Sequence, residues 1–108
     1  MRNSSELRAR RYYRLRCYRI LGTNVWIGGY EIDLVVRRGR ALVFVEVKSK
    51  SGDRVGDPLE MVGPEKQRRL RRAAETWLAA HPEAVGLEAR FDVVAVRDGR
   101  LECVRQAF

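Results

Sequence analysis

Three carboxylates and one lysine are set into a single apolar stretch, residues 30–48, YEIDLVVRRGRALVFVEVK: Glu31, Asp33, Glu46 and Lys48. Charges in such a setting are costly unless they are paired or bound to a metal. Strand side chains alternate faces, so Glu31, Asp33 and Val35 share one face of a first strand, and Leu42, Phe44, Glu46 and Lys48 share one face of a second. A two-residue turn at Arg38-Gly39 would pair Arg37 with Arg40. That register sets Glu31 opposite Glu46 and makes Asp33 and Glu46 diagonal neighbours, about 7–8 Å apart at the backbone. One cation can bridge carboxylates at that separation. Hard oxygen ligands suit Mg²⁺ or Mn²⁺. Such an ion polarises a phosphate oxygen and lowers the pKa of a bound water. Lys48 falls on the same face, about 7 Å beyond Glu46 along the strand. There it can orient or deprotonate the attacking water, or offset charge on a phosphorane. The chemistry expected is hydrolysis of a phosphodiester bond. The plainer reading is an ion pair of Lys48 with Glu46 or Glu31 on a solvated face. Leu42 and Phe44, core-like residues on the Glu46 face, weigh against it.

Other elements must hold that hairpin. A first helix is expected over residues 5–16, capped by Asn3 or Ser4 with Glu6 in its first turn. Its arginines, Arg10 and Arg11 among them, alternate with Tyr12 and Tyr13 and are candidates for gripping phosphates and stacking bases. The rival reading packs the tyrosines inward and leaves the arginines in water. Residues 18–21 form a short strand candidate, residues 22–24 a turn or bulge, and residues 25–27 a further strand. Residues 49–63 read as a long loop with three glycines and a proline. Pro64 suits the first position of a second helix, whose Leu70, Ala73, Ala74, Trp77 and Leu78 make one apolar face. Lys66, Gln67 and Arg69 lie in its first half. His81-Pro82 ends it, and His81 reads as a helix-end histidine rather than a ligand. Residues 90–96 form a strand, Asp98-Gly99 a hairpin turn, and residues 101–104 an edge strand.

The 108 residues carry a formal net charge of +8, with 45% hydrophobic residues. That length suits one domain over residues 1–108 with a single core. The charge points to an anionic partner, nucleic acid before a membrane surface. Cys17 and Cys103 are far apart and only one histidine is present, which excludes a zinc site of ordinary pattern. They read as two buried thiols in a reducing compartment. No apolar run reaches membrane-spanning length, and MRNSSELRARRYY lacks an apolar signal core. A cytoplasmic location is expected.

GYEIDLVV, LVFVEVK, VGDPLEMVGPEKQRRL, RFDVVAV and the terminal AF together resemble the YraN-like bacterial proteins. Those are small relatives of Holliday-junction resolvases within the restriction-endonuclease-like, PD-(D/E)xK superfamily. The resemblance spans nearly the whole chain. It implies an α/β fold with an αβββαβ core, a mixed sheet flanked by helices. It also implies that Asp33 is the metal-binding aspartate, that Glu46 and Lys48 form the E-x-K, and that Glu6 and Glu31 support the ion. Lys66 and Gln67 match the start of a helix whose polar side chains reach the site. The chain departs from the family pattern at Cys17, Trp26 and Tyr30, where glycine, arginine and glycine are usual. The expected activity is a Mg²⁺- or Mn²⁺-dependent nuclease acting on DNA, branched or single-stranded forms included. Arg10, Arg11, Lys66, Gln67 and Arg69 would contact the nucleic acid, and a homodimer would serve paired cuts. The alternative is a non-catalytic nucleic-acid-binding domain that retains the nuclease fold.

Overall fold

The computed structural model describes residues 4–50 and 62–108, with only the backbone of Lys50. The elements follow in the order α1 (Ser4–Leu15), β1 (Arg19–Ile27), β2 (Tyr30–Arg38), β3 (Ala41–Lys50), α2 (Pro64–Ala80), a 3-10 turn (Pro82–Ala84), β4 (Glu88–Arg97) and β5 (Arg100–Val104). The five strands form one sheet in sequential order. Three pairings are antiparallel, while β3 and β4 run parallel from Ala41↔Glu88 to Lys50↔Arg97. A parallel pair needs a crossover, and α2 supplies it. The fold is therefore the expected mixed sheet with two helices. The Asn3 cap and most of the 49–63 loop lie outside the described residues.

The two faces of the sheet carry separate cores. Leu70, Ala73, Ala74 and Trp77 of α2 pack on Ile32, Val35, Leu42, Phe44 and Phe91. Ala9 and Tyr13 of α1 pack on Leu34, Val36, Val43, Val45 and Val94. This explains why LVFVEV is apolar at nearly every position: a strand buried on both faces has no polar side to present. Tyr13 is buried, and Arg8, Arg11 and Arg14 are exposed, so α1 follows the plainer reading of its tyrosines and arginines. The chain end closes the α2 side, with Phe108 stacked on Phe91 at 5.0 Å between centroids.

Several local expectations are corrected. Residues 19–27 form one strand rather than two pieces, with a bulge between Ile20 and Gly22. The β2–β3 turn lies at Gly39-Arg40, because Arg38 pairs with Ala41 and Arg37 with Leu42. Gly39 has φ 60 there, a left-handed angle that favours glycine at the first turn position. The correction shifts the register by two residues, which keeps the expected faces over the paired residues Leu34 to Arg38; Ile32, expected on the face of Leu34 and Val36, lies on the opposite one. Cys17 is exposed rather than buried. It occupies the left-handed residue that closes α1, at φ 68.

Candidate active site

The β2–β3 ladder, extrapolated in its true register, sets Asp33 directly opposite Glu46 and Glu31 opposite Lys48. Hydrogen-bonded pairing, however, stops at Leu34↔Val45. Beyond that point β3 keeps its β4 partner while β2 keeps β1. The side-chain alternation of β2 breaks at the same place: Leu34 and Val36 join the α1 core, whereas Ile32 joins the α2 core. A wedge opens between the two strands. The Val47 amide, which has lost its strand partner, donates instead to Asp33 Oδ2 at 2.8 Å. Asp33 is thus held by the strand that carries Glu46.

One cleft of about 390 Å³ is lined by Trp26, Glu31, Asp33, Glu46, Val47, Lys48, Lys66 and Arg69, with Gly29 and Tyr30. The structure therefore brings Glu31, Asp33, Glu46 and Lys48 together, and adds Lys66 and Arg69 from the first turns of α2. Gly63 before Pro64 starts α2, and Gln67 pins that start by donating to the Val62 carbonyl at 3.0 Å. Gln67 does not line the cleft. Nor do Arg10 and Arg11; Arg11 belongs to a separate groove with Arg8, Tyr12, Leu15, Arg16 and Leu101. His81 stands at the end of α2, stacked on Trp77 at 3.8 Å, with Nδ1 2.7 Å from the Trp77 carbonyl.

Glu46 is only 3% exposed. Two ammonium groups compensate its charge, Lys48 at 3.1 Å and Lys66 at 3.6 Å, both on Oε2. The plainer expectation of a Lys48–Glu46 ion pair is thus present, but buried within the cleft. Lys48 stands above the ordinary lysine value: burial pulls it down, but contacts with Lys66 and Glu46 outweigh that. Lys66 stands below it, because Lys48 lies beside it and burial adds to the effect.

Asp33 shows the strain of the cluster. Its carboxyl is pushed up to about 7, chiefly by burial and then by the charges of Glu46, Glu6 and Glu31, against the opposing Val47 amide. Burial and the Glu46 carboxylate likewise push the Tyr30 phenol up to about 12. An acid raised by burial and by neighbouring carboxylates is one that a nearby cation would draw back to its charged form. Among the described residues, however, no three His, Cys, Asp or Glu side chains close into a ready metal cage. That donor set still fits Mg²⁺, which keeps several waters and takes one or two carboxylates.

Glu6 reaches this field from α1, and a residue without an assigned role in the sequence holds it. Asn24 Nδ2 donates to Glu6 Oε1 at 3.0 Å. Asn24 lies on β1 between the pairs Thr23↔Leu34 and Val25↔Ile32, and so opposite Asp33. Its φ of 50 is left-handed, a region asparagine tolerates better than most residues. The Gly22-Thr23-Asn24 run between two apolar pieces was the available clue. Asn24→Ala is expected to cost about 1–2 kcal/mol, from backbone strain and the lost bond together. Asn24→Gly should recover the backbone part. Thermal unfolding of both variants checks this; equal losses would show that the left-handed backbone is not the constraint.

Residues 5–96 match the model of the uncharacterised protein family UPF0102. A UPF0102 protein of Symbiobacterium thermophilum is 48% identical over 84% of this chain and 80% of its own length. A UPF0102 protein of Ralstonia nicotianae is 43% identical over 97% of this chain and 83% of its own. One from Enterobacter sp. is 36% identical over 95% of this chain and 79% of its own.

Proposed function

The chain belongs to the uncharacterised protein family UPF0102, and we propose that it is a metal-dependent nuclease that hydrolyses phosphodiester bonds in DNA. One observation carries the reading: the Asp33 acid, pushed up to about 7, faces Glu46 and Lys48 in one cleft where the β2–β3 ladder parts. A buried Glu46 and a half-buried Asp33 gathered with two lysines are expensive to keep for structure alone. The αβββαβ order supports placing the fold with the restriction-endonuclease-like domains. Asp33 and Glu46 would hold Mg²⁺ or Mn²⁺, with Glu31 at the rim and Glu6 supporting from α1. When bound, the ion would polarise a phosphate oxygen and acidify a water. Lys48 holds Glu46 in place and offers its ammonium to charge developing on the phosphoryl oxygens. Lys66, whose ammonium also rests on Glu46, adds a second positive charge toward the phosphoryl oxygens. Arg69 contributes phosphate attraction at the mouth. No helix among the described residues is long and apolar enough to cross a membrane.

The alternative, a non-catalytic nucleic-acid-binding domain, draws on a specific observation. Lys48 and Lys66 already neutralise Glu46 without any ion. Nicking of flap, junction and single-stranded DNA under Mg²⁺ or Mn²⁺ separates the two readings. The wild type is expected to nick at least one of these, and Asp33→Ala and Glu46→Ala to lose about 100-fold or more. Nicking that both variants retain, or that no substrate elicits, would leave the binding domain. Branched substrates requiring paired cuts would draw on a homodimer, which sedimentation of the protein with and without DNA would detect.

A further inference from the structure

Trp26 is 72% exposed, though indole is the largest apolar side chain a protein can bury. Scattered exposed apolar residues are ordinary on any surface. Trp26 differs by its position. The other large apolar residues left exposed among the described residues are Leu7, Leu15, Leu21 and Val85, and none of them lines the acidic cleft. Trp26 does. It lies opposite Glu31 on the antiparallel β1–β2 pair, one residue from the Gly28-Gly29 turn. Beyond that turn, Gly28 abuts Ala73 and Thr76 of α2, and a Cβ there would meet the Ala73 Cα at 3.1 Å. The arm that carries the indole is therefore seated against a helix.

The cleft thus offers two kinds of group together. Lys48, Lys66 and Arg69 attract phosphate, while Trp26 offers a flat apolar face and no charge. An aromatic face beside a basic groove takes a nucleobase, and it does so without sequence preference because every base has a π-face. A base inside a continuous duplex already has both faces occupied by its neighbours. From these observations we propose that Trp26 is a stacking platform for an unpaired nucleobase adjoining the scissile phosphate. The substrate class of this site is then a single-stranded segment, or a strand frayed at a flap or junction, rather than continuous duplex. The inference rests on the reading of the cleft as a phosphodiester site, and it names which strand form that site admits.

Binding without added metal, in EDTA, tests it independently of cleavage. The intact protein is titrated with a fluorescein-labelled single-stranded deoxythymidine 12-mer and with a blunt duplex of the same length. Fluorescence anisotropy gives affinity, and tryptophan emission reports stacking. Trp77 is buried, so quenching by the single strand comes from Trp26. Trp26→Ala is expected to weaken single-strand binding by about tenfold or more and duplex binding by less than about twofold. Trp26→Phe should retain most of the single-strand affinity, and all three proteins should melt alike. Equal weakening of both ligands, or no weakening, overturns the platform. So does loss of duplex binding alone, which would mark Trp26 as a wedge between paired bases. If Trp26→Ala binds unchanged while the wild type nicks DNA, the platform falls and the nuclease reading stands. If Trp26→Ala loses single-strand binding while the wild type nicks nothing, the platform stands and the nuclease reading falls.

Discussion

Asp33→Asn is expected to make the metal-free protein more stable above pH 7 while removing its response to divalent ions. The sign follows from the direction of the Asp33 shift. An ordinary aspartate titrates near 3.8, whereas this one is pushed up to about 7, chiefly by burial. Between those values the folded protein holds a proton that the unfolded chain has released. The stabilisation is complete below about pH 4 and is lost as pH rises through about 7. Three pKa units correspond to about 4 kcal/mol. Asp33 is only part-buried, so solvent screening reduces the expected loss to about 1–2 kcal/mol. Asparagine mimics the neutral acid and can still accept from the Val47 amide through its oxygen. The variant should therefore melt about 4–8 °C higher per kcal/mol recovered at pH 8, and show a flatter stability profile between pH 4 and 7. Mg²⁺ or Mn²⁺ should raise the melting temperature of the wild type by mass action and leave the variant nearly unmoved. A variant that melts lower than the wild type at pH 8 would show that the Asp33 charge is not a burden. A matched cation response in both proteins would remove Asp33 from the ion site.

The second large effect lies far from the cleft. Asp92 on β4 is 0% exposed. Its carboxylate accepts from the Tyr13 hydroxyl at 2.7 Å, from Arg90 Nε at 3.0 Å and from the Gln106 backbone amide at 3.0 Å. Arg90 in turn donates to the Tyr18 hydroxyl at 2.9 Å. One buried charge thus ties α1, the start of β1, β4 and the C-terminal segment together. Burial and the Asp92 charge both push the Tyr13 phenol well above the ordinary tyrosine value, so it remains a donor. The Arg90 guanidinium, bonded to Asp92, is likewise held firmly charged. Asp92→Ala would leave Arg90, Tyr13 and an amide without their acceptor, at a cost of about 3–5 kcal/mol. Domains of this size have about 5–15 kcal/mol in total, so the variant should melt far below the wild type or fail to fold. Asp92→Asn and Tyr13→Phe should lose less, about 1–3 kcal/mol each. Circular-dichroism melts order the three variants. An alanine variant that melts within a few degrees of the wild type would mean the network contributes nothing net.

Asp92 also shows where sequence reasoning stopped. Glu46 inside LVFVEVK was legible as a charge anomaly because its neighbours are core residues. Asp92 inside RFDVVAV is the same anomaly, and its burial is deeper. Arg90 stands at strand spacing from it, but its other partners come from residues 13 and 106. Contacts of that range are set by packing rather than by local pattern. The helices and strands were legible because period and caps are local: Pro64 opens α2 and His81 closes it, as expected. The grouping of Glu31, Asp33, Glu46 and Lys48 was legible too, although the supposed turn was wrong. A shift of two residues preserves the faces of the paired residues, and the break in β2 beyond Leu34 still leaves the four in one cleft. Invisible in the sequence were the end of the ladder at Leu34↔Val45 and the left-handed Asn24. Both lie where β2 keeps β1 and leaves β3, a placement set by the whole sheet.

That parting of the ladder has a mechanical consequence. Asp33 rides on the β1–β2 plate and Glu46 on the β3–β4 plate. The gap between the two carboxylates is bridged by the Val47 amide on Asp33 and braced by whatever touches both plates. Helix α2 is the strut: it meets one plate where Gly28 abuts Ala73, and the other where Trp77 meets Phe44 edge-on at 5.6 Å. A ligand drawn to both carboxylates loads that strut. Any affinity of the cleft for such a ligand would then depend on stiffness as much as on acidity, and a substitution on the buried face of α2 would retune it without touching either acid.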